Sequence, residues 1–380
     1  MPIEIREHIP GEDIDDFIRA GNVVFAGDPA WVPPLDMDIR GRLTPAKNPF
    51  YEHADVGLWT AWRDGRLVGR TSASIDHEHL RIHDDATGFF GFFDTLDDEE
   101  AAAALIDAAR TWLRKRGMKR MRGPLSLSMN EEVGTLIEGF EDPPMFLMAH
   151  SRSWQGDVAD AIGLEKAKDI YAWRFDVGKL PKRAVRAWES VKEMPEVRLR
   201  TVNTDDWDRE LDTIMDIFND AWSENWGWVP ATDAEKKKTG NDLKMILDKE
   251  IAFVAEVNDR PAAICIALPN VNEVVRDFDG KMGPVNLMKM LWRLKVSRPK
   301  SARLMLLGIS DDVRGIRKYG RLSHALYVEI AKRGEASGYR WGELSWTLED
   351  NAPVNLGIRS MGAKIYKTYR IYEVSTDQPT

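Results

Sequence analysis

Apolar residues recur at three- and four-residue steps over 13–25 (Ile14, Phe17, Ile18) and over 206–222 (Leu211, Ile214, Met215, Phe218), the spacing of an amphipathic helix. Each helix runs into the same tripeptide, Trp31-Val32-Pro33 in the first half and Trp228-Val229-Pro230 in the second, 197 residues apart. β-Rich runs follow in both halves. Residues 57–62 turn at Arg63-Asp64-Gly65-Arg66 into 67–75, and 253–257 turn at Asn258-Asp259-Arg260 into 262–268; short polar turns between such runs predict hairpins. A strand, helix and strand then repeat: 88–93, 99–116 and 119–128 in the first half, 303–310, 320–337 and 340–348 in the second. Gly117 and Gly338 stand where a left-handed residue ends a helix. The pattern predicts one α/β fold written twice, as domains 1–178 and 196–380 joined by a linker, 179–195, in which Pro181 and Pro195 flank a charged segment.

Composition narrows the function. The 380 residues carry a net charge of −9, which gives no general basic face for nucleic-acid phosphates, so no nucleic-acid partner is expected. Cys265 is the sole cysteine, and no intrachain disulfide can form. The first 21 residues are acidic rather than a secretory signal. No stretch approaches the ~18 apolar residues of a membrane span. A cytoplasmic protein, monomer or dimer, is expected, with any membrane contact peripheral and on the inner face.

One local stretch departs from the acidic average. Residues 312–322 hold Arg314, Gly315, Arg317, Lys318, Tyr319, Gly320 and Arg321 just before a helix, and a helix N-terminus offers unpaired N–H groups to an anion. A solvated basic loop is the alternative. The corresponding stretch of the first half, 94–100, contains Asp94, Asp97, Asp98, Glu99 and Glu100 and would repel a pyrophosphate. Only the second half is therefore expected to bind one.

The element order, with Arg317 and Gly320 in an Arg-x-x-Gly-x-Gly/Ala pattern, resembles the acyl-CoA N-acyltransferase (GNAT) fold, although Leu322 replaces the small last residue. The chain further resembles a group of bacterial tandem GNAT proteins that includes the ceramide synthases. That resemblance rests on Asn130-Glu131-Glu132-Val133-Gly134, Glu138-Gly139-Phe140-Glu141-Asp142-Pro143-Pro144, His150, the stretch 166–173, Leu348-Glu349-Asp350-Asn351 and the ending 364–372. It implies two GNAT-like domains in tandem, each a mixed β-sheet flanked by helices, and acyl transfer from acyl-CoA to the amine of a sphingoid-type lipid. It further implies acyl-carbonyl contacts on Leu307, Gly308 and Ile309, CoA contacts on 314–321 and Asn351, and substrate contacts on Asn130 and Glu131.

Other residues carry candidate chemistry. Glu349 continues the polar face of Glu343, Ser345 and Thr347 and is a candidate base for an ammonium substrate, or else pairs with an arginine or caps the following helix. His150 is an acid/base candidate. The tyrosine that many GNAT enzymes use as an acid is replaced by Ile358, which leaves open a CoA-binding or interaction protein without turnover; within enzymes, a small-amine or aminoacyl acceptor is the alternative. Trp222, Glu224, Trp226 and Trp228 would suit a bulky apolar amine, or simply pack and face solvent. His77, His79 and His83, at alternate positions of an expected strand, lack a completing cluster for zinc, and no metal is expected. The second half carries an insertion within 271–301. Between 281 and 303 it combines Leu287, Met288, Leu291, Trp292 and Leu294 with Lys281, Lys289, Arg293, Lys295, Arg298, Lys300 and Arg303 and no acid. Such a helix lies on an anionic membrane surface or packs on its own domain.

Overall fold

The computed structural model describes residues 2–377. Among them run strands β1 (Glu4–His8), β2 (Ala54–Arg63), β3 (Arg66–Asp76), β4 (Thr87–Thr95), β5 (Arg120–Gly123), β6 (Thr135–Glu138), β7 (Glu165–Asp176), β8 (Val197–Thr201), β9 (Ala252–Val257), β10 (Arg260–Pro269), β11 (Ser301–Ile309), β12 (Trp341–Leu348) and β13 (Lys364–Ser375). They fall into two compact units, and the cut is not a single point in the sequence. Unit 1 takes the described residues of Met1–Ile170, Val275–Leu287 and Lys367–Thr380; unit 2 takes Tyr171–Val274 and Met288–Tyr366.

Unit 1 orders its strands β1-β2-β3-β4-β5-β13. The β2–β3 turn has Asp64 at φ 52° and Gly65 at φ 71°, the two left-handed residues of a type I′ hairpin. Helices α1 (Asp15–Val24), α2 (His77–His83) and α3 (Glu99–Lys115) flank the sheet. The helix α3 buries Ala101, Ala102, Leu105, Ile106, Ala109 and Leu113 against it and ends at Gly117, φ 86°. The expected strand 119–128 stops at Gly123, because Pro124 follows and cannot donate to a ladder. The short β5 takes its second neighbour from the chain's end: Tyr372 pairs with Gly123 and Ser375 with Arg120. Arg122 and Glu373 pin that register with an N···O distance of 2.6 Å.

Unit 2 orders its strands β7-β12-β11-β10-β9-β8. Its hairpin turn repeats the first, with Asn258 at φ 52° and Asp259 at φ 59°. The segment expected as a linker forms α4 (Lys182–Lys192), whose Ala184 and Val191 enter the core and whose Trp188 indole donates to Glu329 at 2.6 Å. The helix α5 (Trp207–Trp222) lies on the other sheet face, covering Ile264 and Ile266 with Ile214 and Ile217. The insertion carries α6 (Pro284–Trp292), whose residues up to Leu287 are counted with unit 1, and α7 (Leu322–Ala336) of unit 2 ends at Gly338, φ 91°. The last is α8 (Ala352–Ser360), with Asn351 as its cap. The turns after α1 and α5 repeat bond for bond: Asp28 N–H to Phe25 O and Trp31 N–H to Asp28 O in one, Asn225 N–H to Trp222 O and Trp228 N–H to Asn225 O in the other.

Candidate active site

In unit 2 the parallel strands β11 and β12 pair only from Ser301↔Trp341 to Leu304↔Leu344. Among the described residues they then part, β11 running on to Ile309 and β12 to Leu348. The register of β11 against β10 slips at the same point: Ala267 faces Leu304 and Ile266 faces Leu306, so Met305 is the extra residue of a bulge. A bulge re-aims the strand beyond it. Ala302 and Leu304 below it and Leu307 and Ile309 above it consequently share the core under α7, while Gly308 faces α5, with Trp222 and Ala221 close to where a side chain would stand. A strand that loses one neighbour leaves its edge N–H and C=O groups unpaired. This gap beside Leu307, Gly308 and Ile309 has the shape to take an extended ligand with amide groups of its own.

The basic loop stands past the end of β11. Arg314 pairs with Asp311 and donates to Ala221 O at 3.4 Å, and Asp311 N–H donates to Asp220 at 2.7 Å, which ties the loop to the end of α5. Lys318 is held by Glu196 at 2.5 Å, raising the lysine pKa. Arg321 reaches Ser190 at 3.2 Å, and Arg317 is exposed. No side chain caps α7, so its first N–H groups have no intrahelical acceptor. Gly315 and Gly320 are both right-handed, so neither supplies a positive φ. Gly315 has open space in place of a side chain, leaving the backbone approachable by a ligand.

Unit 1 has the same parting of strands with the slot filled. There β4 and β5 pair only from Thr87↔Arg120 to Phe89↔Arg122. Phe90 O accepts from Leu125 N–H at 2.7 Å, Phe93 O from Gln155 at 2.9 Å and Thr95 O from the Trp154 indole at 3.1 Å. A side chain on Gly91 would collide with Leu125 O. Asp98 caps α3 through Ala101 N–H and holds Arg63 at 2.8 and 2.9 Å, while Arg70 takes Asp94. The helix start of the first half is thus closed by its own carboxylate.

The remaining predicted residues are placed as follows. Glu349 lies in the turn after β12 rather than on the strand, half-buried. The side chain of Asn351 caps α8 through Val354 N–H at 3.4 Å. Ile358 is core. Trp222 packs on Phe218 in a tilted pair, with ring centroids 4.7 Å apart; Trp226 and Trp228 are half-buried and Glu224 is exposed. In unit 1, His150 has a 3% exposed side chain and its Nε2 meets Asp28 Oδ2 at 3.0 Å, while Nδ1 is buried without a partner. Burial pulls the pKa of His150 down, against the opposing pull of Asp28. Glu131 is gripped by Arg42 at 2.7 Å, and burial raises the pKa of its carboxyl despite that partner. Asn130 is exposed. The three histidines sit on α2 and not on a strand, because Asp76 accepts from Glu78 and His79 N–H and starts a helix. His79 pairs with Asp85 at 3.1 Å and His77 with Asp55 at 3.2 Å. Among the described residues no cluster of three His, Cys, Asp or Glu could hold a metal ion.

No protein-family model matches the chain. The bacterial ceramide synthase of Caulobacter vibrioides is 38% identical over 364 residues, covering 95% of this chain and 94% of that protein. The chain belongs to the bacterial ceramide synthase family. Protein YghO of Escherichia coli is similar in the same way, 34% identical over 376 residues, 97% of this chain and 94% of its own. A tandem GNAT protein from the clavulanic acid biosynthesis pathway superposes with a TM-score of 0.59 at 13% identity over 100% of both chains. A GCN5-related N-acetyltransferase from Sphaerobacter thermophilus gives 0.53 at 12% identity, over 100% of this chain and 97% of its own. The fold of this ceramide synthase family member is therefore the expected tandem GNAT fold.

Sequence reasoning missed three features of this family member. The bulge at Met305 has no local signature. Asp28, the partner of His150, has no local signature either. Arg303, Ser345, Glu343 and Tyr366 form a buried network: Arg303 donates to Ser345 at 2.8 Å, Ser345 to Glu343 at 2.5 Å, and the Tyr366 hydroxyl to Glu343. The polar alternation of β12 was its one sequence signal. The insertion resolves the choice between packing and exposure, since α6 buries none of its residues and Val285, Leu287, Met288, Leu291, Trp292 and Val296 are exposed. No helix among the described residues is long and apolar enough to cross a membrane.

Proposed function

We propose that this protein transfers a long-chain acyl group from acyl-CoA to the amine of a sphingoid-type lipid, forming an amide. As a member of the bacterial ceramide synthase family it is an acyl-CoA N-acyltransferase, and the identity to the Caulobacter protein over nearly both full lengths carries the reading. The open slot of unit 2 supports it. The pantetheine arm would lie along β11 beyond the bulge, with backbone donors of Leu307, Gly308 and Ile309 polarising the acyl carbonyl. Arg314, Arg317, Lys318 and Arg321, with the N–H groups around Gly315, Tyr319 and Gly320, would hold the pyrophosphate. The amine lone pair attacks the thioester carbonyl carbon, the C–S bond breaks, and a nitrogen proton leaves through a base while the thiolate is released. Glu349, in unit 2, is the proposed acid/base group, with His150 of unit 1 as the alternative. Neutral His150, its Nε2–H given to Asp28, would keep Nδ1 as a proton acceptor. The segment Trp222 to Trp228 with Glu224 would meet the acceptor within unit 2, with Asn130 and Glu131 of unit 1 as the alternative acceptor contacts. Much of the rate would come from holding the two substrates together.

The exposed apolar and basic helix α6 supports an anionic membrane surface as the second partner, where both lipid substrates reside. The test is direct: incubate the protein with acetyl-, octanoyl- and palmitoyl-CoA and with sphingoid and small polar amines, and follow thiol release and amide mass. Turnover of palmitoyl-CoA with the sphingoid amine is expected. Equal use of acetyl-CoA, or acylation of small polar amines alone, refutes the lipid reading and leaves a general GNAT enzyme.

A further inference from the structure

Unit 2 contains a cavity of about 50 Å³ between the sheet and α7, with Ala302, Leu304, Gly334, Gly342, Leu344 and Met361 among its walls. Its placement is specific. Leu304 and Leu344 are the last paired residues before β11 and β12 part, and Met305, the bulge residue, is next along β11. A thioester seated at the bulge would therefore stand one to three residues from the cavity walls, about 3–10 Å at the rise of a strand.

The walls have been left bare where the fold would accept side chains. Gly334 lies inside α7, where glycine is disfavoured relative to alanine. A Cβ there would meet nothing nearer than 3.9 Å, and one on Gly342 nothing nearer than 3.5 Å. Neither glycine has a positive φ. Packing and backbone geometry thus give no reason for glycine at either position, and both residues keep the cavity open.

Resting on the acyl-CoA reading above, we infer that this cavity receives the part of the donor's acyl chain nearest the thioester and selects long-chain over acetyl donors. The volume has room for about three to five water-sized groups, so it takes the first few methylenes and not a whole long chain. The lining is mostly apolar, and the one carboxylate among its walls, Glu343, is occupied by Ser345 and Tyr366.

The experiment compares wild type with Gly334→Ala and Gly334→Leu, measuring calorimetric affinity for CoA and decanoyl-CoA, thiol release from acetyl- and palmitoyl-CoA, and melting temperature. Each methylene excluded from an apolar site costs about 0.8 kcal/mol, roughly fourfold in affinity. Gly334→Leu should lower decanoyl-CoA affinity by at least tenfold with CoA affinity unchanged, and should spare acetyl-CoA turnover relative to palmitoyl-CoA. Gly334→Ala should melt higher than wild type and weaken decanoyl-CoA by a smaller factor. A folded Gly334→Leu protein with an unchanged decanoyl-to-CoA affinity ratio overturns the cavity assignment while the acyltransferase reading stands. Wild-type protein that binds neither CoA nor decanoyl-CoA overturns both.

Discussion

Replacing Met288, Trp292 and Val296 together by glutamate should release the protein from anionic vesicles. These residues are 67%, 57% and 66% exposed and follow one another at four-residue steps, so they form one stripe along α6 and the turn after it. Burying such a side chain completely is worth about 1.5–3 kcal/mol. With roughly 60% of each surface still open to water, entry into the lipid boundary yields about 1–2 kcal/mol apiece, or about 3–5 kcal/mol for three. The triple variant forfeits this and brings three carboxylates to a negative surface, so its partition coefficient should fall at least about 100-fold. Co-sedimentation with vesicles of phosphatidylglycerol and phosphatidylethanolamine, at two salt concentrations, measures it. Salt should weaken wild-type binding only in part, because the apolar contribution is not screened. The reasoning is refuted if wild type never sediments with the vesicles, or if the variant sediments as wild type does.

Other expectations concern CoA binding and proton transfer. Arg317→Glu with Lys318→Glu should abolish CoA binding, and calorimetry of wild type should give one site per chain; two sites would contradict the filled slot of unit 1. Glu349→Gln and His150→Ala should each lower kcat by more than they change CoA affinity, since proton transfer is expressed in the transition state, and Asp28→Asn should resemble His150→Ala. The pKa of His150 lies below the ordinary histidine value in the folded chain, so the unfolded state binds more protons in the window beneath about 6.5. The contribution of His150 to stability should therefore be complete above that pH and be lost as the pH falls through the window, and titration of melting temperature in wild type against His150→Ala reads it.

The repeat, both hairpins and both helix stops were legible in the sequence because each signal is local. Asp64-Gly65 and Asn258-Asp259 tolerate the positive φ of a type I′ turn, and Gly117 and Gly338 tolerate the left-handed cap. The acidity of 94–100 against the basicity of 312–322 was equally local, and so was the family, carried by short blocks along the chain. Asp76 was a local signal too, and reading the histidines as a strand overlooked its capping of α2. The tertiary structure decided what depends on partners far apart in sequence. Residues 120–123 pair with 372–375, a choice made by Tyr372 and the Arg122–Glu373 pair that no periodicity encodes. Whether a slot between parting strands is open or filled depends on Leu125, Trp154 and Gln155 arriving from elsewhere in unit 1. His150 acquires its partner from Asp28, 122 residues away, and Glu131 from Arg42, 89 residues away. Hydrophobic pattern fixes which face of an element is buried; only packing fixes which distant side chain meets it there.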